Sequence, residues 1–299
     1  MRLTRRRGRG MSGTMSRKRV IGAILVVAAI GACGSRDAGR VTASFFNPEE
    51  IPLETYSAEQ IFERGEFELN RRQPQDAAFY FAEIERLYPY SEWAKRALIM
   101  QAFSYHQDQD YPNSRSAAQR FIDFFPDDDD AAYAQYLLAL SYYDQIDEVG
   151  RDQGLTFQAL QSLRQGIERY PNSEYASAAI LKFDLAFDHL AGKEMEIGRY
   201  YLRRNHYTAA INRFRVVVED FQTTTHTAEA LHRLVEGYLS LGLNREAQTA
   251  GAILGHNYQS SEWYQDSYRL LTGQGLEPKF YKNNWLGAIF RQTIKGEWL

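Results

Sequence analysis

The chain has 299 residues, with 38 acidic and 35 basic side chains, and 14% of its residues are aromatic. Eight of the cations and none of the anions lie in residues 1–32. Residues 33–299 therefore carry 27 cations against 38 anions, a net charge of −11. Such an acidic surface argues against nucleic acid and against broad adsorption to anionic lipid. These 267 residues suffice for one elongated domain or two compact ones.

The first 32 residues predict a secretory signal peptide. The basic residues 17–19 precede an apolar run at 20–30, and two small residues stand before Cys33. This is the order of charged region, hydrophobic region and cleavage site in a signal. The apolar run is shorter than the roughly 20 residues that a helix needs to cross a bilayer. Met11 and Met15 are alternative starts of the chain.

The segment Ile30–Cys33, with the sequence IGAC, resembles the lipobox of bacterial lipoproteins. We predict cleavage before Cys33, a diacylglycerol and an N-acyl chain on that residue, and a flexible tether over 33–55. Cys33 is the only cysteine, so it has no internal disulfide partner, and its lipidation leaves no catalytic thiol. The alternative is an ordinary secreted protein with a free thiol. By resemblance, Gly34 after the cysteine implies sorting to the outer membrane, on its periplasmic face.

From residue 56 onward, apolar and small residues recur every three or four positions, which predicts an all-α fold. An internal repeat is visible within this pattern, because residues 65–89 align without gaps with residues 198–222, at an offset of 133. The matched pairs are Gly65 with Gly198, Leu69 with Leu202, Arg71 with Arg204, Ala77 with Ala210, Phe81 with Phe214, Ile84 with Val217, and Tyr88 with Phe221.

Similar unit ends recur near residues 89, 126, 171, 222 and 259. A small residue, an aromatic residue four positions later and a closing proline are typical of tetratricopeptide (TPR) repeats. We therefore predict five irregular TPR helix-turn-helix repeats that form a right-handed superhelical solenoid, followed by a terminal helix that ends near 272. The alternative is an irregular helical bundle. The predicted repeats are 56–90, 91–127, 128–172, 173–223 and 224–260.

Residues 273–299 form a carboxy-terminal extension beyond the repeats. Trp285, Leu286, Ile289 and Phe290 stand at helical spacing, which predicts a short amphipathic helix. Three roles are open for it: a cap on the last repeat, a contact with another subunit, and a contact with the membrane. The cap is favoured, because a terminal repeat needs a cover for its apolar face.

No catalytic motif is found for nucleotide binding, zinc proteolysis or a nucleophilic serine. We therefore predict that the chain is not an enzyme and has no metal or cofactor besides its lipid. His226 and His232 are six residues apart, which does not place them on one helical face, and we expect surface or partly packed residues. The run Asp127–Asp130 suits a helix N-terminus better than calcium, since the ligand spacing of an EF-hand is missing.

Tyrosine and tryptophan are enriched where proteins bind proteins, and stacked repeats form a long groove suited to peptides. A recognition scaffold is therefore the predicted class. The lipobox, the repeats and four strings resemble the BamD family over residues 56–271. The strings are ERLYPYSEWAKRA, FFPDDDDAAYAQYLLALSYYDQI, GRDQ and ERYPNSEY.

The resemblance implies a lipoprotein subunit of the β-barrel assembly machinery (BAM complex) on the periplasmic side of the outer membrane. Its partners would be the POTRA domain of the barrel protein BamA, other lipoproteins of the complex, and unfolded outer-membrane protein precursors. The alternatives are a CpoB-like TPR scaffold that coordinates cell-envelope synthesis or division, and a lipoprotein enzyme with a helical array. The lipobox and the absence of heptads count against the first of these alternatives, and the lack of room for a second domain counts against the other.

The resemblance also implies site residues. An Asn-Arg pair in the fourth repeat belongs to the BamA docking surface in this family, and Asn212 and Arg213 match it. Arg213 is the candidate for a salt bridge to BamA. The amino-terminal repeats of the family receive precursors, and Tyr105, Tyr136 and Tyr143 are our candidates for the substrate groove.

Overall fold

The computed structural model describes residues 52–281 and 285–289. The predicted signal, Cys33 and most of the tether lie outside the described residues, as does Phe290. The α-helices are α1 (Ala58–Asn70), α2 (Pro74–Leu87), α3 (Glu92–Gln107), α4 (Tyr111–Phe124), α5 (Ala131–Tyr143), α6 (Gly154–Arg169), α7 (Ala176–Arg203), α8 (Tyr207–Asp220), α9 (Thr227–Ser240), α10 (Asn244–Asn257), α11 (Glu262–Gly273) and α12 (Trp285–Ile289).

Each helix from α1 to α11 packs against the next one along the chain. The helices therefore form five hairpins, α1–α2, α3–α4, α5–α6, α7–α8 and α9–α10, followed by α11. The first helices of neighbouring hairpins also touch, as in α1 with α3 and α3 with α5. No strand occurs in the described residues, so the all-α prediction is confirmed, while the handedness of the superhelix stays a prediction. No helix in this part of the chain is long and apolar enough to span a bilayer.

Two hairpins are closed by the same glycine–phenylalanine contact. Cε1 of Phe81 lies 2.7 Å from the position that a β-carbon on Gly65 would occupy. Phe214 lies against Gly198 in the same way, and both phenylalanines are fully buried. The glycine lets a ring rest directly on the backbone of the partner helix, because a side chain would fill that space. This contact is the physical reason for the match at an offset of 133.

Four hairpins share one turn geometry. The second residue after the first helix adopts positive φ, and the next N–H donates to the carbonyl five residues earlier, as in Gln73 to Glu68 at 2.9 Å. This is the Schellman form of helix ending. The third hairpin differs, because ten residues at 144–153 separate α5 from α6. The residues with positive φ are Arg72, Gln109, Asn205 and Gly242.

The carboxy-terminal segment returns over α9 and α10. Leu286 is fully buried in the cluster formed by α8 to α11. Trp285 Nε1 donates to the Tyr238 hydroxyl at 2.9 Å, and the Lys279 N–H donates to the Gln248 carbonyl at 3.2 Å. These contacts cover apolar surface that the last hairpin would otherwise leave in water.

Candidate partner-binding surface

Arg213 lies on α8 with its side chain 43% exposed. Its Nη1 donates to Oε2 and Oε1 of Glu194 on α7, at 3.0 and 3.3 Å. Asn212 is exposed beside it. A partly exposed ion pair contributes less than about 1 kcal/mol. Glu194 therefore holds the guanidinium in place, and another carboxylate can replace it at little cost.

Arg215, two residues further along α8, has different partners. Its guanidinium carbon lies 4.4 Å from the ring centroid of Trp285, and it pairs with Glu219 one turn ahead. The carboxy-terminal segment thus occupies Arg215, while Arg213 keeps an open side. Of these two arginines on α8, Arg213 is the better placed for a partner.

Tyr136 on α5 contributes to packing between helices. Its ring stacks on Tyr175 with centroids 5.6 Å apart, and Tyr133 contacts the same ring at 5.1 Å. Burial raises the pKa of Tyr133 to about 12 and also raises the pKa of Tyr136. These hydroxyls therefore stay neutral, and the three rings join α5 to the start of α7.

Tyr105 and Tyr143, the other two groove candidates, are half-buried on α3 and α5. Tyr143 packs against α6 and α7, with Lys182 Nζ 4.4 Å from its ring centroid. It also lines a cavity with Ile146 of the 144–153 loop and Leu185 of α7. The sequence did not reveal this cavity, because its walls come from three segments with no common periodicity.

An ion network joins the first helices of the last two hairpins to α11. Arg199 on α7 donates to Glu229 on α9 at 2.8 Å, and Glu229 also accepts from Arg233 at 3.2 Å. The Arg233 guanidinium carbon lies 5.4 Å from the Trp263 ring centroid on α11. We missed this network in the sequence, because its members lie 30 or more residues apart and carry no motif. It sets how α7, α9 and α11 face one another.

His232 is buried, which corrects the expectation of a surface or partly packed residue. Its Nδ1 lies 2.9 Å from the Ser267 hydroxyl on α11. Burial lowers the pKa of His232 more strongly than Glu236 raises it. His226 is half-buried and its Nε2 lies 3.4 Å from Asp188. The two histidines therefore serve different packing contacts.

The acidic run before α5 has a structural partner. Asp128 Oδ2 accepts from Lys95 Nζ on α3 at 2.6 Å, and this hydrogen bond holds the pKa of Asp128 below its usual value. The contact joins the second hairpin to the third. Across residues 52–281 and 285–289, no group of three or more His, Cys, Asp or Glu is arranged to hold a metal ion.

Comparison with known proteins connects this surface to a family. The profile of the YfiO family, described as outer membrane lipoprotein, matches residues 54–253. A Caulobacter vibrioides protein named outer membrane protein assembly factor BamD is 45% identical over 86% of this chain and 82% of its own length. A Rickettsia prowazekii protein of the same name is 39% identical over 86% of this chain and 98% of its own.

More distant similarities extend the comparison. A Neisseria meningitidis protein, also named outer membrane protein assembly factor BamD, is 27% identical over 72% of this chain and 84% of its own length. The crystal structure of the type IV pilus biogenesis factor PilW covers 70% of this chain at 12% identity, with a TM-score of 0.32. That score is too low to bear on the argument. The family profile and the two relatives of 39% or more suffice: the chain belongs to the YfiO family of outer membrane lipoproteins, which includes these BamD assembly factors.

Proposed function

We propose that this chain is an outer-membrane lipoprotein subunit of the β-barrel assembly machinery. The observation that carries the proposal is the 45% identity to an outer membrane protein assembly factor over 86% of the chain. The fold agrees with this role, because stacked hairpins present side chains of several helices along one surface. The chain acts by binding, and the perturbed tyrosines and His232 serve packing rather than catalysis.

The proposed anchor is the lipid on Cys33. Eighteen residues separate Cys33 from Pro52, the first described residue, and they span at most about 60 Å when extended. The tether therefore keeps the hairpins close to the periplasmic face of the outer membrane. Several acyl chains on one residue hold firmly, whereas a single chain binds weakly and reversibly.

The proposed docking site for a BamA-type POTRA domain is the exposed side of Arg213, with Asn212 beside it. Guanidinium and carboxylate groups form paired hydrogen bonds with high geometric specificity. The side chain is already extended toward Glu194, so little conformational entropy is lost when a partner carboxylate approaches. The partner is therefore expected to present an Asp or Glu to α8.

The proposed contacts for unfolded outer-membrane protein precursors are Tyr105, Tyr136 and Tyr143. All three lie on first helices of hairpins and keep part of their surface exposed. Tyrosine rings bind apolar side chains while their hydroxyl groups stay hydrated. Tyr143 is the strongest of the three, because it borders an open cavity, whereas Tyr136 already stacks on Tyr175.

Co-purification from detergent-solubilised outer membranes tests the proposal. The chain is expected to recover a BamA-type barrel protein and other lipoproteins of the complex. Arg213→Glu is expected to reduce that recovery strongly, because it places two carboxylates against the partner's own. The matched control is Arg71→Glu, which reverses a 55% exposed arginine on α1 that pairs with Glu68. Recovery without any barrel protein, or with envelope-synthesis proteins instead, would overturn the proposal.

A further inference from the structure

A pocket opens where the third hairpin meets α7. Tyr143, Ile146 and Asp147 form one wall, and Leu185, Ala186 and His189 of α7 form the other. The cavity measures about 190 Å³. Sites for small molecules usually hold about 300–1,000 Å³. The α7 pocket, as we call these six residues, is therefore suited to one large apolar side chain rather than to a metabolite.

An exposed apolar strip on α7 leads into this pocket. Leu181 and Leu185 stand one turn apart and are 62% and 53% exposed. Both lie well inside a helix of 28 residues, so their exposure is fixed by the packing of α7 and not by a mobile loop. Adjacent leucines in water on a rigid element are typical of interaction surfaces.

The rim of the α7 pocket is negatively charged. The loop at 144–153 carries four carboxylates and Arg151 as its one cation, and Arg151 pairs with Asp147 at 3.2 Å. Lys182 on α7 is held over the Tyr143 ring. Asp184 and Asp188 lie on the same helical face as the two leucines. The rim carboxylates are Asp144, Asp147, Glu148, Asp152, Asp184 and Asp188.

We propose that the α7 pocket binds a peptide segment of another protein that carries a large apolar side chain flanked by Lys or Arg. The apolar side chain fills the cavity and displaces water from Leu185 and Tyr143. The flanking cations pair with the rim carboxylates, which orients the segment and accelerates its association. Its charge preference is opposite to that of Arg213, so the two surfaces select different partners. The inference does not depend on membership in the assembly machinery.

Binding of a synthetic peptide to the full mature chain in detergent tests this inference. The probe is a fluorescently labelled peptide in which two lysines stand on each side of a Leu-Phe pair, and fluorescence anisotropy is the measurement. Leu185→Lys is expected to weaken binding by about tenfold or more. The matched control is Leu270→Lys, which adds the same charge at a 39% exposed leucine of α11 and is expected to leave binding unchanged.

A second variant separates charge from apolar contact. Asp184→Asn keeps Leu185 in place and is expected to weaken binding severalfold and to reduce its dependence on salt. Unchanged affinity of Leu185→Lys would overturn the proposal, as would equal binding of a peptide with serines in place of the Leu-Phe pair. Sedimentation that shows a dimer of this chain, dissolved by Leu185→Lys, would assign the pocket to a second copy and also overturn it.

Discussion

Phe214 and Gly198 are in direct contact across the fourth hairpin: Cδ1 and Cζ of the ring lie 2.8 Å from the position that a β-carbon on residue 198 would occupy. Phe81 and Gly65 repeat this relationship in the first hairpin. Because both rings are fully buried, neither can move aside without opening a void. Each glycine is therefore required by its neighbour on the facing helix, not by its own backbone conformation.

Gly198→Ala is expected to lower the free energy of unfolding by about 1–3 kcal/mol, because overpacking in a filled core forces helices or side chains to shift. Thermal and urea unfolding followed by circular dichroism measures the change. The matched control is Gly273→Ala in α11, where a β-carbon would have no neighbour within 4 Å. That control should be neutral or stabilising, since alanine favours helix. Equal effects of the two substitutions would contradict the packing argument.

The four shared turns predict opposite effects of glycine at two equivalent positions. Gln109 has φ of 62° and Gly242 has φ of 72°. Gln109→Gly is expected to stabilise the chain by about 1 kcal/mol, because an L-residue is strained in this region, and Gly242→Ala should destabilise it by a similar amount. Nothing lies within 4 Å of a β-carbon at Gly242, so backbone strain alone is tested. Denaturation midpoints with unchanged m-values would establish it.

The buried His232 predicts a loss of stability in mild acid. Burial lowers its pKa in the folded state, so the unfolded chain binds the proton more readily. The contribution is fully present above the unfolded pKa of about 6.5 and is lost as pH falls below that value. Urea unfolding at pH 7.5 and pH 5 should therefore show a smaller acid loss for His232→Gln than for the wild type. An identical loss in both proteins would show that other groups dominate.

Removal of the buried leucine of α12 should act locally. Leu286→Ala is expected to cost about 2–5 kcal/mol in the unit that it covers, because it leaves a cavity in a buried cluster. Hydrogen exchange should rise in α9 and α10, with α1 to α4 unaffected, since repeat stability depends on nearest neighbours. Leu276, which is only partly buried against the same cluster, offers a milder control as Leu276→Ala. Uniform loss of protection along the chain would reject this local role.

The proposed anchor predicts that location and fold are separable. Cys33→Ser is expected to leave the unfolding free energy of the hairpins unchanged and to release the protein from the outer membrane fraction. Partner recovery should fall because the effective concentration at the membrane is lost. Cell fractionation and circular dichroism measure the two outcomes. Retention of the variant in the outer membrane would show that protein contacts, not the lipid, hold it there.

The helical part of the fold was predictable because periodicity and the match at an offset of 133 both report on local packing. Gly198 and Phe214 are only 16 residues apart, so one hairpin contains the whole contact. The site was less accessible. Glu194 pairs with Arg213 across two helices, and surface ion pairs leave no pattern in a single sequence. Tyr136 and Tyr143 share one face of α5, so periodicity alone did not separate the stacked ring from the one beside the cavity.

The length of α7 has a mechanical consequence. Leu185 of the α7 pocket and Glu194, the partner of Arg213, lie nine residues apart on this one continuous helix. At 1.5 Å per residue, they are separated by about 13 Å along its axis. A helix held by α5 and α6 near one end and by α8 near the other resists bending. Two proteins bound at these positions would therefore keep a constant spacing, and a pull on one would be transmitted to the other through a single rigid element.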